Sequence, residues 1–218
     1  MNNAQENYLK TILIFELEGD RATITALARN LSLKPASVTE MVQKLSAQNY
    51  LKHTKYKSFA LTAKGRSIAL GVLRRHRLWE TFLYRILDYS WSEVHEEAEN
   101  FEHVITNRLE NRIDKFLDYP AVDPHGHPIP STDGRMAAVD NLRPLSAAAK
   151  NQRVQIMQVN DQDPALLKYL EQNELIINTK IQINNIVDFD GSMEVTLKGS
   201  SIFLSPQMTS KILVKVIQ

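Results

Sequence analysis

Between Ala22 and Leu45 the chain carries two short amphipathic patterns around a three-residue interruption, and that spacing constrains the fold more than any other feature. Leu27, Ala28 and Leu31 form the apolar edge of the first helix, the turn falls at Ser32–Lys34, and Pro35 opens the second helix. Proline suits a first helical turn, because its missing N–H would have no partner there anyway. Val38, Met41, Val42 and Leu45 recur at helical spacing as a buried stripe. The opposite face offers Ala36, Ser37, Thr39, Glu40, Gln43 and Lys44, which are small or hydrogen-bonding groups. Two such helices make a helix-turn-helix, whose second helix enters the DNA major groove. Those six residues are therefore the expected DNA-reading face.

The flanking segments complete a winged version of that motif. Residues 4–18 are helical in pattern, with Tyr8, Leu9, Ile12, Leu13 and Leu17 on one side, and Gly19-Asp20 ends the helix. Tyr50–Thr54 and Phe59–Thr62 read as two short strands joined by residues 55–58. Lys52, Lys55 and Lys57 on this hairpin are placed to reach phosphates, which position a protein on DNA without reading sequence.

The formal net charge of +1 conceals an uneven distribution. Residues 1–77 hold 13 Lys+Arg against 5 Asp+Glu, whereas residues 78–142 hold 5 against 13. A basic first third implies a polyanionic partner, and an acidic middle implies a cation. There is no cysteine, which excludes disulfides and thiolate metal sites. No apolar run reaches the roughly 20 residues of a membrane span, and the first residues lack the pattern of a secretion signal. These features point to a cytoplasmic protein without membrane association.

Beyond the wing, Ala63 to about Leu87 reads as one long helix and Ser92 to about Leu117 as another. Ser90-Trp91-Ser92-Glu93 has the form of a capping box. Apolar Leu70, Leu73, Leu78, Phe82, Leu83 and Ile86 are expected at a dimer interface. Asp118 to Leu145 holds five of the eight prolines, an irregular connection leading to a domain boundary. The last 70 residues alternate like strands at 152–159, 180–187, 193–197, 201–204 and 212–217, with a short helix from Pro164 to Asn173. A small SH3-like barrel fits that pattern. The fold class is thus mainly α with small β parts. Its expected domains are a winged helix-turn-helix (1–74), a helical metal-binding and dimerisation domain (75–142) and an SH3-like domain (150–218).

The segment from His95 to His103 carries the chemistry. His95, Glu99, Glu102 and His103 fall at i, i+4, i+7 and i+8, one face of a continuous helix. His76 and Glu80 repeat the i, i+4 spacing on the preceding helix. From Ile86 to Asn107 there are six acidic residues and no Lys or Arg. Like charges four apart cost a helix about 0.2–0.5 kcal/mol each, so an external cation is expected to balance them.

Arg75–Glu80, Val94–His103 and Asp123–Pro130, following a winged helix, resemble the diphtheria-toxin-repressor family of iron- and manganese-dependent bacterial repressors. The resemblance runs nearly end to end and is nearest the three-domain manganese-responsive branch. It implies a primary metal site from Asn7, Glu99, Glu102 and His103. It also implies an ancillary site drawn from His76, Glu80 and His95, or from Glu80, Asp123, His125 and Asp161. The iron-responsive branch has sulfur ligands where this chain has Glu99 and Asn7, and oxygen in their place favours a hard cation. Mn²⁺ is accordingly the expected cofactor, with Fe²⁺ the alternative. The manganese branch usually has aspartate at the Asn7 position. A compact binuclear subgroup has glutamate where this chain has Lys10, and a cation there argues against two fused ions.

The resulting expectation is a homodimer that binds a palindromic operator in double-stranded DNA when metal fills the primary site and restricts the DNA-binding domain. A tenfold shift needs only about 1.4 kcal/mol of differential binding. Metal-homeostasis genes are the implied targets. A winged-helix regulator answering a non-metal ligand is one rival. The other is a di-metal carboxylate enzyme, which would need Glu-x-x-His motifs that the chain lacks.

Overall fold

A computed structural model describes residues 1–54, 58–137 and 141–217. They divide into two compact units. The first comprises Met1–His76, Asn100–Glu110 and Pro130–Met136; the second comprises Arg77–Glu99, Asn111–Ile129 and Ala137–Gln218.

The first unit begins with α1 (Asn3–Glu18). The Asn2 side chain accepts the Gln5 amide at 3.0 Å, and the Gln5 side chain accepts the Asn2 amide at 3.2 Å. This reciprocal cap satisfies two donors that a helix start would otherwise orphan. Gly19 ends α1 at φ 78°. A short strand β1 (Ala22–Thr23) leads into α2 (Ile24–Asn30), capped by the Thr23 hydroxyl on the Ala26 amide at 3.1 Å. Ser32 turns the chain at φ 54°, and Pro35 is the first residue of α3 (Pro35–Ala47). Strands β2 (Leu51–His53) and β3 (Ser58–Leu61) pair antiparallel, with Leu51 opposite Leu61, and β1 adds to the far edge of β3. The expected winged helix-turn-helix is therefore present. Tyr8, Leu9, Ile12, Leu13, Leu27, Val38, Val42 and Leu45 close over one core with Leu61 and Leu73. Gly65 is required there: a Cβ would lie 2.2 Å from the Tyr50 carbonyl oxygen.

After α4 (Ala63–Ile86), the expected single helix from Ser92 to Leu117 is instead two: α5 (Val94–Phe101) and α6 (Asn107–Phe116). Consecutive β-branched residues Val104, Ile105 and Thr106 disfavour helix between them. The Thr106 hydroxyl then accepts the Leu109 amide at 3.3 Å, starting α6 afresh. Glu102 and His103 consequently lie in a turn rather than on a helical face. Only half of the capping box before α5 forms as expected. Glu93 accepts the Ser90 amide at 3.0 Å, but its own amide bonds the Ser90 carbonyl at 3.1 Å rather than the hydroxyl.

The second unit contains a six-stranded antiparallel sheet in the order β4-β9-β5-β6-β7-β8. Its strands are β4 (Arg143–Pro144), β5 (Arg153–Val159), β6 (Lys180–Ile186), β7 (Met193–Leu197), β8 (Ser200–Leu204) and β9 (Ile212–Ile217). Helix α7 (Pro164–Gln172) follows β5, and a one-turn α8 (Pro206–Thr209) precedes β9. Alternate residues such as Val154, Ile156, Ile181, Ile183, Val195 and Val214 point into one core. Trp91, from the turn before α5, is buried in that same core.

Three residues expected at a dimer interface are buried inside the chain. Leu73 belongs to the first unit's core, and Leu78 and Leu83 are 0% and 2% exposed. In the second unit the apolar side chains left in solvent include Ile86, Leu87, Phe116 and Tyr119.

Candidate metal centres and DNA-reading face

One ionisable cluster lies within the first unit, where Glu6, Asn7 and Lys10 of α1 face His76 of α4 and the turn at Glu102–His103. Glu6 and Lys10 are one helical turn apart, so they share a face with Asn7. Glu102 is fully buried, and its Oε2 accepts from Lys10 Nζ at 2.7 Å and from His76 Nδ1 at 2.6 Å. Lys10 Nζ lies 3.5 Å from that His76 nitrogen. An ammonium from α1 thus supplies one counter-charge to Glu102 that the sequence around it lacks. No local charge pattern could reveal a partner 92 residues away in sequence.

His103 holds the other half of the cluster. Its Nδ1–H donates to Glu6 Oε2 at 2.7 Å and its Nε2–H to Asn7 Oδ1 at 2.5 Å. Nε2 also lies 3.2 Å from Glu102 Oε1, a buried oxygen with no hydrogen bond of its own. Arg75 steadies the surroundings, with Nε donating to the Glu102 carbonyl at 2.7 Å and its guanidinium 3.6 Å from Glu6. Burial would raise the Glu102 carboxyl, but the His103 and His76 imidazoles and the Lys10 charge hold it well below the usual carboxylate range. Burial would lower the His103 imidazole, but Glu102 and Glu6 raise it overall.

Asn7 Oδ1, Glu102 Oε1 and His103 Nε2 thus share one space, two oxygens and one imidazole, and this donor set fits a divalent cation. A cation there would replace the Nε2 proton. Glu6, which sequence reasoning missed, would keep the Nδ1 proton and fix the ring, the usual task of a carboxylate behind a metal-bound histidine. Its adjacency to Asn7 on α1 was the available signal. Glu99 belongs to the second unit, where its carboxylate lies 3.9 Å from His95 Nε2.

The second cluster lies wholly within the second unit, where α4, α5, the 118–129 loop and the segment after β5 converge. Glu80 is fully buried and accepts from His95 Nδ1 at 3.2 Å. His125 is also fully buried, and its Nε2–H donates to the Trp91 carbonyl at 2.9 Å. A carbonyl only accepts, so the proton of this contact sits on Nε2. Nδ1 has no hydrogen bond and lies 4.0 Å from Glu80 Oε1. Ligand atoms of Glu80, His125 and Asp161 lie within 4.8 Å of one another, as do those of Asp123, His125 and His127. His127 is the member that sequence reasoning missed, although it stands two residues beyond His125. Burial would raise the Asp161 carboxyl, but His127 foremost among its neighbours lowers it overall. An orphaned imidazole nitrogen facing a buried carboxylate fits a cation here too.

On α3, Ala36, Ser37, Glu40, Gln43 and Lys44 are exposed as expected. Thr39 is half-buried and its hydroxyl donates to the Pro35 carbonyl at 2.8 Å, which leaves its methyl and lone pairs for contact. Lys52 is exposed on β2, whereas Lys55 and Lys57 lie outside the described residues.

Three family models match the chain in order. They are the iron-dependent repressor N-terminal DNA-binding domain (residues 1–59), the iron-dependent repressor metal-binding and dimerisation domain (62–131) and the FeoA domain (143–216). The diphtheria toxin repressor of Corynebacterium diphtheriae is 30% identical over 208 residues, 91% of each chain. A solved manganese-dependent transcriptional repressor in complex with manganese is 32% identical, with a TM-score of 0.89 over 98% of this chain and 100% of that one. The repressor ScaR with bound Cd²⁺ is 33% identical, with a TM-score of 0.82 over 98% and 99%.

Proposed function

The chain belongs to the diphtheria-toxin-repressor family of metal-dependent transcriptional repressors, and from that premise we propose that Mn²⁺ is the ion it senses. Like its relatives it is a DNA-binding regulator and not an enzyme, and its dimerisation domain makes it a homodimer. The supporting observation is the donor set formed by Asn7 Oδ1, Glu102 Oε1 and His103 Nε2, oxygen and imidazole in a chain without cysteine. Hard oxygen donors suit Mn²⁺ better than they suit softer cations. Glu99 is retained as a further donor on the family resemblance alone. The neutral Asn7 amide lowers the charge at the ion relative to aspartate, which weakens binding and lets a higher metal concentration set the response.

Glu80, Asp123, His125 and Asp161 form the ancillary site in this reading, supported by the buried Nδ1 of His125, which makes no hydrogen bond. His76 is assigned to the first cluster through its bond to Glu102. A two-fold dimer presents two α3 helices to a palindromic operator. Ala36, Ser37, Thr39, Glu40 and Gln43 read bases, and Lys44, Lys55 and Lys57 contact phosphates. The regulated genes are those of metal homeostasis, and the protein works in the cytoplasm, where its DNA lies. The domain bounds 1–74, 75–142 and 150–218 are retained, with limited proteolysis as their check.

The deciding experiment measures affinity for a palindromic promoter duplex while Mn²⁺, Fe²⁺ or Zn²⁺ is titrated, for wild type and Glu102→Gln. Mn²⁺ is expected to tighten wild-type binding at least tenfold, about 1.4 kcal/mol, and to leave the variant unchanged. Equal stimulation of both proteins sinks the assignment of Glu102, and stimulation by Fe²⁺ alone replaces manganese with iron.

A further inference from the structure

We propose that His127 is a metal donor, so that the second cluster is an oxygen- and imidazole-lined site in which His127 binds a divalent transition-metal ion together with Asp123 and His125, beside the Glu80 and Asp161 carboxylates. The inference rests on the reading that this cluster binds a cation, and it adds a ligand.

His127 faces two carboxylates at separations longer than an ordinary hydrogen bond. Its Nδ1 is buried without a hydrogen bond, 3.4 Å from Asp123 Oδ2 and 3.7 Å from Asp161 Oδ2. Asp123 Oδ2 is likewise buried with no hydrogen bond. Ligand bonds of about 2.1–2.2 Å put two donors on one ion about 3.0 Å apart when adjacent and about 4.3 Å apart when opposed. The separations at His127, and the 4.0 Å between His125 Nδ1 and Glu80 Oε1, all fall inside that interval.

The backbone is built to hold both imidazoles. Asp123 Oδ1 accepts the amides of His125 at 2.8 Å and His127 at 3.0 Å, so one carboxylate organises the loop while its other oxygen faces His127 and Arg77. Gly126, between the histidines, has φ 88°, and a Cβ there would lie 2.0 Å from the Met157 carbonyl oxygen. The loop is thus pressed onto β5, and the Val159 amide bonds the His125 carbonyl at 2.9 Å. The Trp91 carbonyl holds the Nε2 proton of His125. Three carboxylates face the two imidazoles, and the Arg77 guanidinium lies 3.4 Å from Asp123 Oδ2. Such preorganisation is what a metal ligand set needs. Two imidazoles favour transition metals over Mg²⁺ or Ca²⁺, which prefer oxygen alone.

The test uses the full-length protein, with Mn²⁺ and Cd²⁺ as probes. Equilibrium binding is measured for wild type, His125→Gln and His127→Gln. Each variant is expected to lose the second ion, with affinity falling on the order of 100-fold, while binding at the first cluster persists. Because the chain has no cysteine, His127→Cys adds a gain of signal that a merely structural role would not create. It is expected to show a sulfur-to-cadmium charge-transfer band in the ultraviolet on loading with Cd²⁺. Loss of the ion in His125→Gln alone, with no band in His127→Cys, overturns the role of His127 and leaves the pocket reading intact. A wild type that binds one ion, abolished by His103→Gln, overturns the second site itself, and with it this proposal, without touching the first.

Discussion

Lys10 donates to Glu102 across 2.7 Å, and neither side chain is more than 5% exposed. A buried carboxylate with no cation near it in sequence is therefore neutralised from another helix, leaving its second oxygen 3.2 Å from His103 Nε2.

Removing the ammonium should expose that dependence. Breaking one side of a buried ion pair costs about 3–5 kcal/mol, and His76 retains part of the compensation. Lys10→Met is expected to destabilise the metal-free protein by about 3 kcal/mol in urea unfolding, with Mn²⁺ restoring part of the loss. An unchanged midpoint would show that His76 alone suffices.

Glu6 is expected to act through His103. Glu6→Gln weakens the partner that holds the Nδ1 proton, and loss of such a partner lowers metal affinity about 10- to 100-fold. Isothermal titration with Mn²⁺ measures this. The same variant should lower the His103 pKa, read from the imidazole resonances, because Glu6 is one of the two carboxylates that raise it.

The two shifts in the first cluster act in opposite pH windows. The folded-state pKa of Glu102 is depressed, so its contribution to stability is present above the unfolded carboxylate value and is lost as pH falls toward the folded one. That of His103 is raised, so its contribution is present below the ordinary imidazole value and is lost as pH climbs through the folded one. Metal must displace the His103 proton, so Mn²⁺ affinity is expected to increase across the same upper window. Metal titrations at a series of pH values check this, and a flat profile removes His103 Nε2 from the ligand set.

On α3 the two kinds of DNA contact should separate by salt. Gln43→Ala is expected to cost about 1–3 kcal/mol on the operator and little on unrelated DNA. Lys44→Ala should weaken both and reduce the salt slope by about 1. Anisotropy titrations at several ionic strengths distinguish them.

Gly126→Ala is expected to be damaging out of proportion to one methyl group. The residue's φ of 88° strains any side chain, and the new Cβ would meet the Met157 carbonyl. Calorimetry should show lower stability, and equilibrium dialysis a loss of the second ion with the first retained.

Much of this molecule is local and could be read in one dimension. The apolar stripe of α3 with Pro35 at its start, the alternation in β5 and β7, and the pairing of Glu102 with His103 each involve residues within a turn or two of one another. Helical and pleated periodicity are properties of short windows, so those elements, and the family they imply, were legible. The break between α5 and α6 was locally written as well, in Val104-Ile105-Thr106, but a pattern of acidic residues at helical spacing concealed it.

Only the tertiary structure decided which groups meet. Lys10 and Glu102 are 92 residues apart and their pairing has no local signature, whereas the meeting of Asn7 with His103 was foreseen through the family resemblance and not through any local pattern. Leu73 and Leu83 went to the chain's own interior instead of a partner's surface, because an apolar stripe specifies burial without specifying what buries it. His127 meets Asp161 only because Gly126 lets its loop lie flat on β5 and Asp161 comes from the segment beyond that strand. Sequence chose the chemistry available to this protein through short-range preference; folding, which brings distant side chains within a few ångströms in a space from which water is excluded, chose which of those groups act together.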